Sequence, residues 1–440
     1  MIKIMGIQSK KSFLRKILES TLRFFAVLVL KKYHPIIVGV TGSVGKSSTK
    51  EAIALVLASE YSVRKSEGNY NNEIGIPLTI LGEKSQGHSF LGWFQLVFRT
   101  CFLLIFPCRY PEILVLEMGV DYPGDMEYLL RFVPVTVGVV TKIGESHLEN
   151  FKTIGAIARE KGRLVTRLPE EGIAILNADD ERVLSLQEKI KAKTYTYSIS
   201  GPATVSGEHY TFDERTGVGF NFKLKYEGVS IPVRLPNLIG EHLVSSALAA
   251  VAVGLSLRMN PVSIVTALER FESLPGRMRL IAGKNGALLI DDTYNASPDS
   301  VKAALTTLAR MRASRKIFVF GDMLELGPNA DIFHQELATQ VYPMGFSAVF
   351  LVGVKACLFG ESLALRGFSR DRMFSFDYPL KAGDALAEFL HEGDAVLIKG
   401  SRGMRMEKVV EQSMEHPEDA FKLLCCQSPE WRAKPFIPEK

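Results

Sequence analysis

The stretch GVTGSVGKSSTK, Gly39 to Lys50, decides how the rest of the chain is read. The apolar run IIVGV leads into it and predicts a buried strand. It continues into SSTKEAIALVLASE, whose apolar spacing predicts a helix. A Gly-rich turn between a strand and a helix, ending in Lys46-Ser47, is a phosphate-binding loop. Its backbone N–H groups and the helix N-terminus face the phosphates, Lys46 reaches the β- and γ-phosphates, and Ser47 can ligate Mg²⁺. The candidate nucleotide-binding residues are therefore Thr41, Gly42, Ser43, Val44, Gly45, Lys46, Ser47 and Ser48. The loop departs from the general pattern G-x4-GK[ST] at one point, because Val40 stands at its first glycine position.

Outward from the loop, short β-rich runs alternate with helical ones, which predicts an α/β chain with a mostly parallel sheet. EILVLEMG, TVGVVTKIG and GIAILNADD read as further strands, and ligands in such sheets collect at the carboxyl ends of the strands. Residues 193–235 change to an alternating pattern that predicts an antiparallel appendage. GEHLVSSALAAVAVGLSL then reads as an Ala-rich helix. A Pro-Gly punctuates FESLPGRMRL, and a second α/β series follows: GALLIDDTYNASPDSVKAALTTLARM, KIFVFGDM, AVFLVG and DAVLIKGSRGMRMEKVVEQ. The expected organisation is a basic amphipathic segment over 1–34, a P-loop, ATPase-type central domain over 35–273, and a Rossmann-like C-terminal domain over 274–440. The final QSPEWRAKPFIPEK reads as a loosely held tail.

A chain of 440 residues exceeds one ordinary core, and 47% hydrophobic with 23% charged residues is a globular composition. Five cysteines in no metal-ligand spacing point to reduced thiols in a cytoplasm. Net charge is +5, but residues 1–34 carry eight Lys and Arg against Glu19 alone. The body is thus near neutral, which argues against nucleic acid as a partner. FLRKILESTLRFFAVLVLKK reads as a basic amphipathic helix, and FLGWFQLVFRTCFLLIFP, Phe90–Pro107, is a second apolar stretch with Arg99 at its middle. Both fall short of a membrane span. Residues 10–32 and 90–107 suggest peripheral contact with the inner face of the plasma membrane, and packing on the protein body is the plainer reading.

Magnesium beside a phosphate needs hard oxygen ligands. Glu117 ends one strand run and His147 follows the next, so both are candidates. The combination of TGSVGKSSTKE, NYNNEIGIPLTIL, LVLEMG, SHLENF, AILNADD, DDTYNASPDSVKAAL, FGDMLELG and KGSRGMRMEKVV resembles the Mur ligases. The stretches occur in family order, cover nearly the whole chain after Pro35, and are most like the D-Ala-D-Ala-adding branch.

The resemblance implies an ATP-dependent, amide-forming ligase of peptidoglycan synthesis. In that family a substrate carboxylate takes the γ-phosphoryl group of ATP to give an acyl phosphate, and an incoming amine displaces phosphate. The implied partners are a muramyl-tripeptide precursor and D-Ala-D-Ala, with ATP and Mg²⁺ bound to a monomer. Lys46 would hold the β/γ-phosphates; Ser47, Glu117, His147 and Lys161 would hold metal, Lys161 as a carbamate. The acidic residue usual two places beyond that lysine is Arg163 here. His242 and Asp292 would contact the nucleotide, Asp292 near the ribose. Arg277 would approach the phosphates from the second domain, and Asn295 the reacting groups. Lys399, Ser401 and Arg402 would belong to the incoming-substrate pocket, while Asn69, Asn71 and Asn72 would face the first substrate; for these asparagines turn formation is an equally good reading.

Two departures stand out. Leu243 and Ser246 occupy positions where the family carries asparagines that help seat adenine. A Mur ligase also normally begins with a separate UDP-binding domain, whereas 38 residues precede Gly39, fewer than the roughly 50 a domain needs. The expectation is that this domain is absent or replaced and that the first substrate is recognised differently, with the basic segment near anionic lipid or a diphosphate. A ligase with another acceptor, of the poly-γ-glutamate type, and a non-catalytic, ATP-binding membrane scaffold are the rival readings.

Overall fold

The computed structural model describes residues 13–68, 70–87, 89–145, 148–212, 218–434 and 436. Two sheets organise it. The first contains β1 (Ile36–Thr41), β2 (Val63–Lys65), β3 (Ile113–Glu117), β4 (Val137–Val140), β5 (Ile173–Asn177), β6 (Lys193–Ser198), β7 (Val205–Phe212), β8 (Phe220–Tyr226) and β9 (Val229–Leu235). Its spatial order is β2-β3-β1-β4-β5-β6-β7-β8-β9. Strands β1, β3 and β4 are apolar almost throughout because both faces are covered.

The alternation of side chains along β1 shows how the two faces are used. Val38 and Val40 pack toward the helices Lys46–Leu57 and Glu241–Ser256. Ile37 packs into a second core with Leu22, Ala26, Val29 and Leu30 of the helix Phe13–Tyr33. The Ala-rich composition of Glu241–Ser256 lets it lie close against Lys46–Leu57. A Cβ on Gly254 would stand 3.2 Å from Val56 and 2.8 Å from Ile264, so a larger residue there would push the Ile264 side chain aside.

The expected antiparallel appendage over 193–235 is not separate. β6 is parallel to β5, β7 starts parallel to β6, and β7-β8-β9 then continue the same sheet as antiparallel hairpins. The alternation identified hairpins but could not show that their edge pairs with the parallel strands.

The second sheet contains β10 (Arg279–Ala282), β11 (Leu288–Asp292), β12 (Arg315–Gly321), β13 (Ala348–Val352), β14 (Met373–Phe376) and β15 (Asp394–Lys399). Its order is β10-β11-β15-β12-β13-β14, parallel except for β10. Ser273, near which the boundary is expected, lies between the helix Pro261–Leu268 and β10. The end of the chain is not loose in its described part. Trp431 lies over the Arg402 guanidinium at 4.0 Å, Arg432 pairs with Glu411 at 2.6 Å, and the Lys434 carbonyl accepts from Arg405. All five cysteines are free thiols.

Candidate active site

In the first sheet β1 pairs with β3 on one side and β4 on the other, so the crevice opens where the strand order reverses. The loop Gly42–Gly45 occupies that point. Ser43 N–H donates to Lys142 O at 2.6 Å, Ser43 Oγ to Gly144 O at 3.0 Å, and Thr41 Oγ1 to Met118 O at 2.8 Å. Thr141 Oγ1 closes the loop from the other side on Val44 O at 2.6 Å. A Cβ on Gly42 would meet Thr141 Oγ1 at 2.0 Å, which is why the loop must be bare there. Gly45, left-handed at φ 85°, starts the helix Lys46–Leu57.

Lys46 folds back over this loop and donates to Gly42 O at 2.8 Å. Burial lowers its pKa, the Glu117 carboxylate opposes that shift, and the Arg277 charge adds to it. Glu117, buried at the carboxyl end of β3, accepts from Asn71 Nδ2 at 3.3 Å through Oε1, while Oε2 is buried with no hydrogen-bond partner. A buried carboxylate oxygen left open beside a phosphate loop suits a hard cation. Among the described residues no three His, Cys, Asp or Glu side chains cluster to hold a metal by themselves.

Lys161 is buried on the helix Ile154–Thr166. Burial pushes its amine well below the ordinary lysine value, and the nearby Lys46 charge pushes it further; Asp121, Glu160 and Glu117 oppose. Glu160 is itself held by the Gly124 and Met126 N–H groups and pairs with Arg163. Arg163 therefore acts on Glu160, away from any acidic role.

The second domain closes the crevice. A cavity of about 120 Å³ is bounded by Ser43, Gly45 and Ser48 on one side and by Arg277, Asp292, Asn295 and Lys399 on the other. Lys399, at the end of β15, donates to Asp292 Oδ2 at 2.6 Å and to Asn295 O at 2.9 Å. Arg277 stacks on the Tyr294 ring at 4.1 Å, and Arg402 approaches the same ring at 5.0 Å. Arg402 Nε is buried without a partner, and Ser401 Oγ accepts from Leu324 N–H at 2.8 Å. His242 lines this cavity and a larger one of about 530 Å³, reached past Lys142 and Asp299. Its Nδ1 has no partner, and burial lowers its pKa, which keeps the ring neutral.

Of the expected site residues, Ser43, Val44, Gly45, Ser48, His242, Arg277, Asp292, Asn295 and Lys399 line one cavity; Lys46 does not line it, but the Arg277 charge acts on Lys46. Asp292 sits on the small-cavity side, against Lys399. Asn72 is used locally: its Oδ1 accepts from the N–H groups of Ile74 and Gly75. His147 and Asn69 lie outside the described residues. Leu243 is buried in the core, and Ser246 accepts a 3.1 Å hydrogen bond from Thr49 Oγ1, tying its helix to that of the phosphate loop. Sequence reading missed Asp121, whose charge acts on both Lys46 and Lys161. Its signal was an acidic residue four places beyond Glu117. It also missed Lys142 and Asp299, which pair at 3.4 Å between the domains, and Tyr294 and Trp431, which hold Arg402.

The family profile described as Mur ligase middle domain matches residues 40–91 and 102–254. The profile for the Mur ligase glutamate ligase domain matches 276–402. UDP-N-acetylmuramoyl-tripeptide–D-alanyl-D-alanine ligase of Bacillus subtilis (strain 168) is 32% identical over 399 residues, 90% of this chain and 80% of that protein. The enzyme of the same name from Escherichia coli (strain K12) is 30% identical, over 86% of this chain and 77% of its own length. The crystal structure of MurF ligase from Thermotoga maritima in complex with ADP superposes with a TM-score of 0.75 at 27% identity, over 92% of this chain and 84% of that one. With both domain profiles matched across most of its length, this chain belongs to the Mur ligase family.

Proposed function

We propose that the chain is an ATP-dependent peptide ligase that adds D-Ala-D-Ala to a muramyl-tripeptide precursor in the cytoplasm. The observation that supports it most is that Arg277, Asp292 and Lys399 of the second domain share one cavity with Ser43, Gly45 and Ser48 of the phosphate loop, and that the Glu117 and Arg277 charges both act on Lys46. The relatives that bear this activity in their names cover the same two domains.

In this reading the phosphates of ATP lie on the loop Gly42–Gly45 and the rest of the nucleotide extends into the larger cavity past His242. The precursor carboxylate attacks the γ-phosphorus, ADP leaves, and an acyl phosphate forms. The dipeptide amine then attacks the acyl carbon and phosphate leaves, with one proton lost from the amine. Lys46 and Arg277 place two cations where negative charge accumulates, and the crevice between the domains holds the reactants in line. Ser47 and Glu117 would hold Mg²⁺, whose chemistry here is to neutralise phosphoryl oxygens. Lys161, as a carbamate with His147, would hold a second ion. Asn71 faces the precursor through its contact with Glu117, and Arg402, held between Tyr294 and Trp431, suits the carboxylate of the incoming dipeptide. The reading needs no group from a second chain, and the proposed acting unit is a monomer.

The test is phosphate release from ATP and Mg²⁺ with UDP-N-acetylmuramoyl-tripeptide, with and without D-Ala-D-Ala. Release that needs both substrates supports the reading. Release indifferent to the dipeptide, or none at all, overturns it.

A further inference from the structure

The helix Phe90–Ile105 is apolar on the wrong side for a helix of a water-soluble protein. Leu96 and Thr100 are buried and turn toward the core. On the opposite face Leu91, Phe94, Phe98 and Ile105 are each 64 to 73% exposed, with Phe102 beside them. These positions recur every three or four residues and form one stripe down the helix. Beside it the helix Phe13–Tyr33 buries Leu22, Ala26 and Val29 and exposes Ile17 and Phe24. The two helices are fixed together at one end. Lys32 Nζ donates to Leu103 O, Leu104 O and Phe106 O at 2.6 to 3.1 Å, and Tyr33 Oη donates to Leu103 O at 2.8 Å.

The same two helices expose basic side chains, Lys16 and Lys31 on one and Arg99 on the other, with Arg109 just beyond it, and residues 84–111 contain no Asp or Glu. Arg99 reaches Glu83 only at 3.4 Å with its side chain two-thirds exposed, a pair that water screens. No described helix is long and apolar enough to cross a membrane. A helix of 16 residues is about 24 Å long, short of the roughly 30 Å hydrocarbon core. An apolar stripe with cations on the same helices, too short to span, has the chemistry of a surface that lies in the headgroup region of an anionic bilayer.

We infer that the joined faces of Phe13–Tyr33 and Phe90–Ile105 dock the protein on an anionic lipid bilayer, the phenyl rings entering the acyl boundary and the basic side chains meeting lipid phosphates. No residue of these two helices lines the cavities at the catalytic crevice. The same two helices lead into β1 and β3, whose far ends carry the phosphate loop and Glu117. Docking therefore holds the ligase at a lipid surface while its crevice stays open. The inference is independent of which substrate is joined.

The experiment is flotation of the full chain with vesicles of phosphatidylcholine alone and of phosphatidylcholine with phosphatidylglycerol, at low and high salt. The comparison is the double variant Phe94→Ser/Phe98→Ser. Both rings are exposed, so the variant is expected to keep the thermal midpoint and phosphate release of the parent. Flotation with the anionic vesicles is expected, weakened by salt, and lower in the double variant by at least about tenfold. Failure of the parent to float with anionic vesicles, equal flotation with neutral ones, or equal flotation of the variant would each overturn the proposal. So would a parent that dimerises through these phenylalanines and ignores vesicles, because the stripe would then be a surface between copies of the chain.

Discussion

Asp292 and Lys399 are register partners on the parallel strands β11 and β15, and the Lys399 ammonium donates to Asp292 Oδ2 at 2.6 Å in a buried setting. Burial lowers the Lys399 pKa and the Asp292 carboxylate holds it up. Removing one member of such a pair leaves a buried charge uncompensated, at a cost of about 3–5 kcal/mol. Lys399→Met is expected to lower the unfolding free energy by that amount in a urea titration and to abolish ligation. An unchanged urea midpoint would show that the pair is not a buried one.

Lys46→Ala should separate catalysis from folding. The side chain is half-buried and its hydrogen bonds run to loop carbonyls, so the expected effect on the thermal midpoint is small. Loss of a preorganised cation at a phosphoryl group is expected to lower kcat by about 10²–10³. Activity within a few-fold of the parent would remove the phosphate loop from the mechanism.

Lys161 carries a prediction about carbon dioxide. Burial and then the Lys46 charge lower its pKa well below 10.5, which favours the neutral amine that attacks CO₂, forming a carbamate and releasing a proton. Enzyme stripped of CO₂ at mildly acid pH is expected to lose activity and to recover it with bicarbonate. Carbon-13 bicarbonate should give a carbamate resonance that Lys161→Ala lacks. Activity indifferent to CO₂ removal, with no such resonance, would contradict the carbamate.

Asp291 predicts a pH dependence of stability. It accepts from Thr293 Oγ1 at 2.6 Å and from Gly276 N–H at 2.9 Å, yet burial raises its pKa from 3.8 to about 6. Between those values the folded chain holds the proton more tightly than the unfolded chain does. The stabilisation is complete below 3.8 and is lost as pH rises through about 6. The loss is on the order of 2–3 kcal/mol. Unfolding free energies measured from pH 4 to 7 should show this decline in the parent and a flatter curve in Asp291→Asn; parallel curves would refute the assignment.

What the sequence made legible was what lies contiguous along it. Gly42 to Ser48, the strand runs ending at Glu117 and Asp292, and the Ala-rich helix from Glu241 each announce their geometry through local spacing. The closing pieces do not. Asp121, the Lys142–Asp299 pair and the stacking of Arg402 on Trp431 join residues far apart in the chain, and nothing local marks them. The tail QSPEWRAK was misjudged for the same reason, since its anchors, Arg402, Arg405 and Glu411, precede their partners Trp431, Lys434 and Arg432 by twenty residues or more. Asn72 illustrates the reverse case, a residue whose Oδ1 makes the turn bonds that its type suggests. Ser246 shows how a departure from the family pattern can be given structural work, here by accepting the Thr49 hydroxyl.

The most direct test of the central reading is the mass of the product. Purified chain would be incubated with ATP, Mg²⁺, UDP-N-acetylmuramoyl-tripeptide and D-Ala-D-Ala, and the nucleotide-sugar peptide analysed by mass spectrometry. The expected product is heavier than the tripeptide precursor by one dipeptide less one water, and Lys46→Ala forms it about 10²–10³ times more slowly. A precursor of unchanged mass, with ATP consumed or not, would contradict the assignment of a D-Ala-D-Ala-adding ligase.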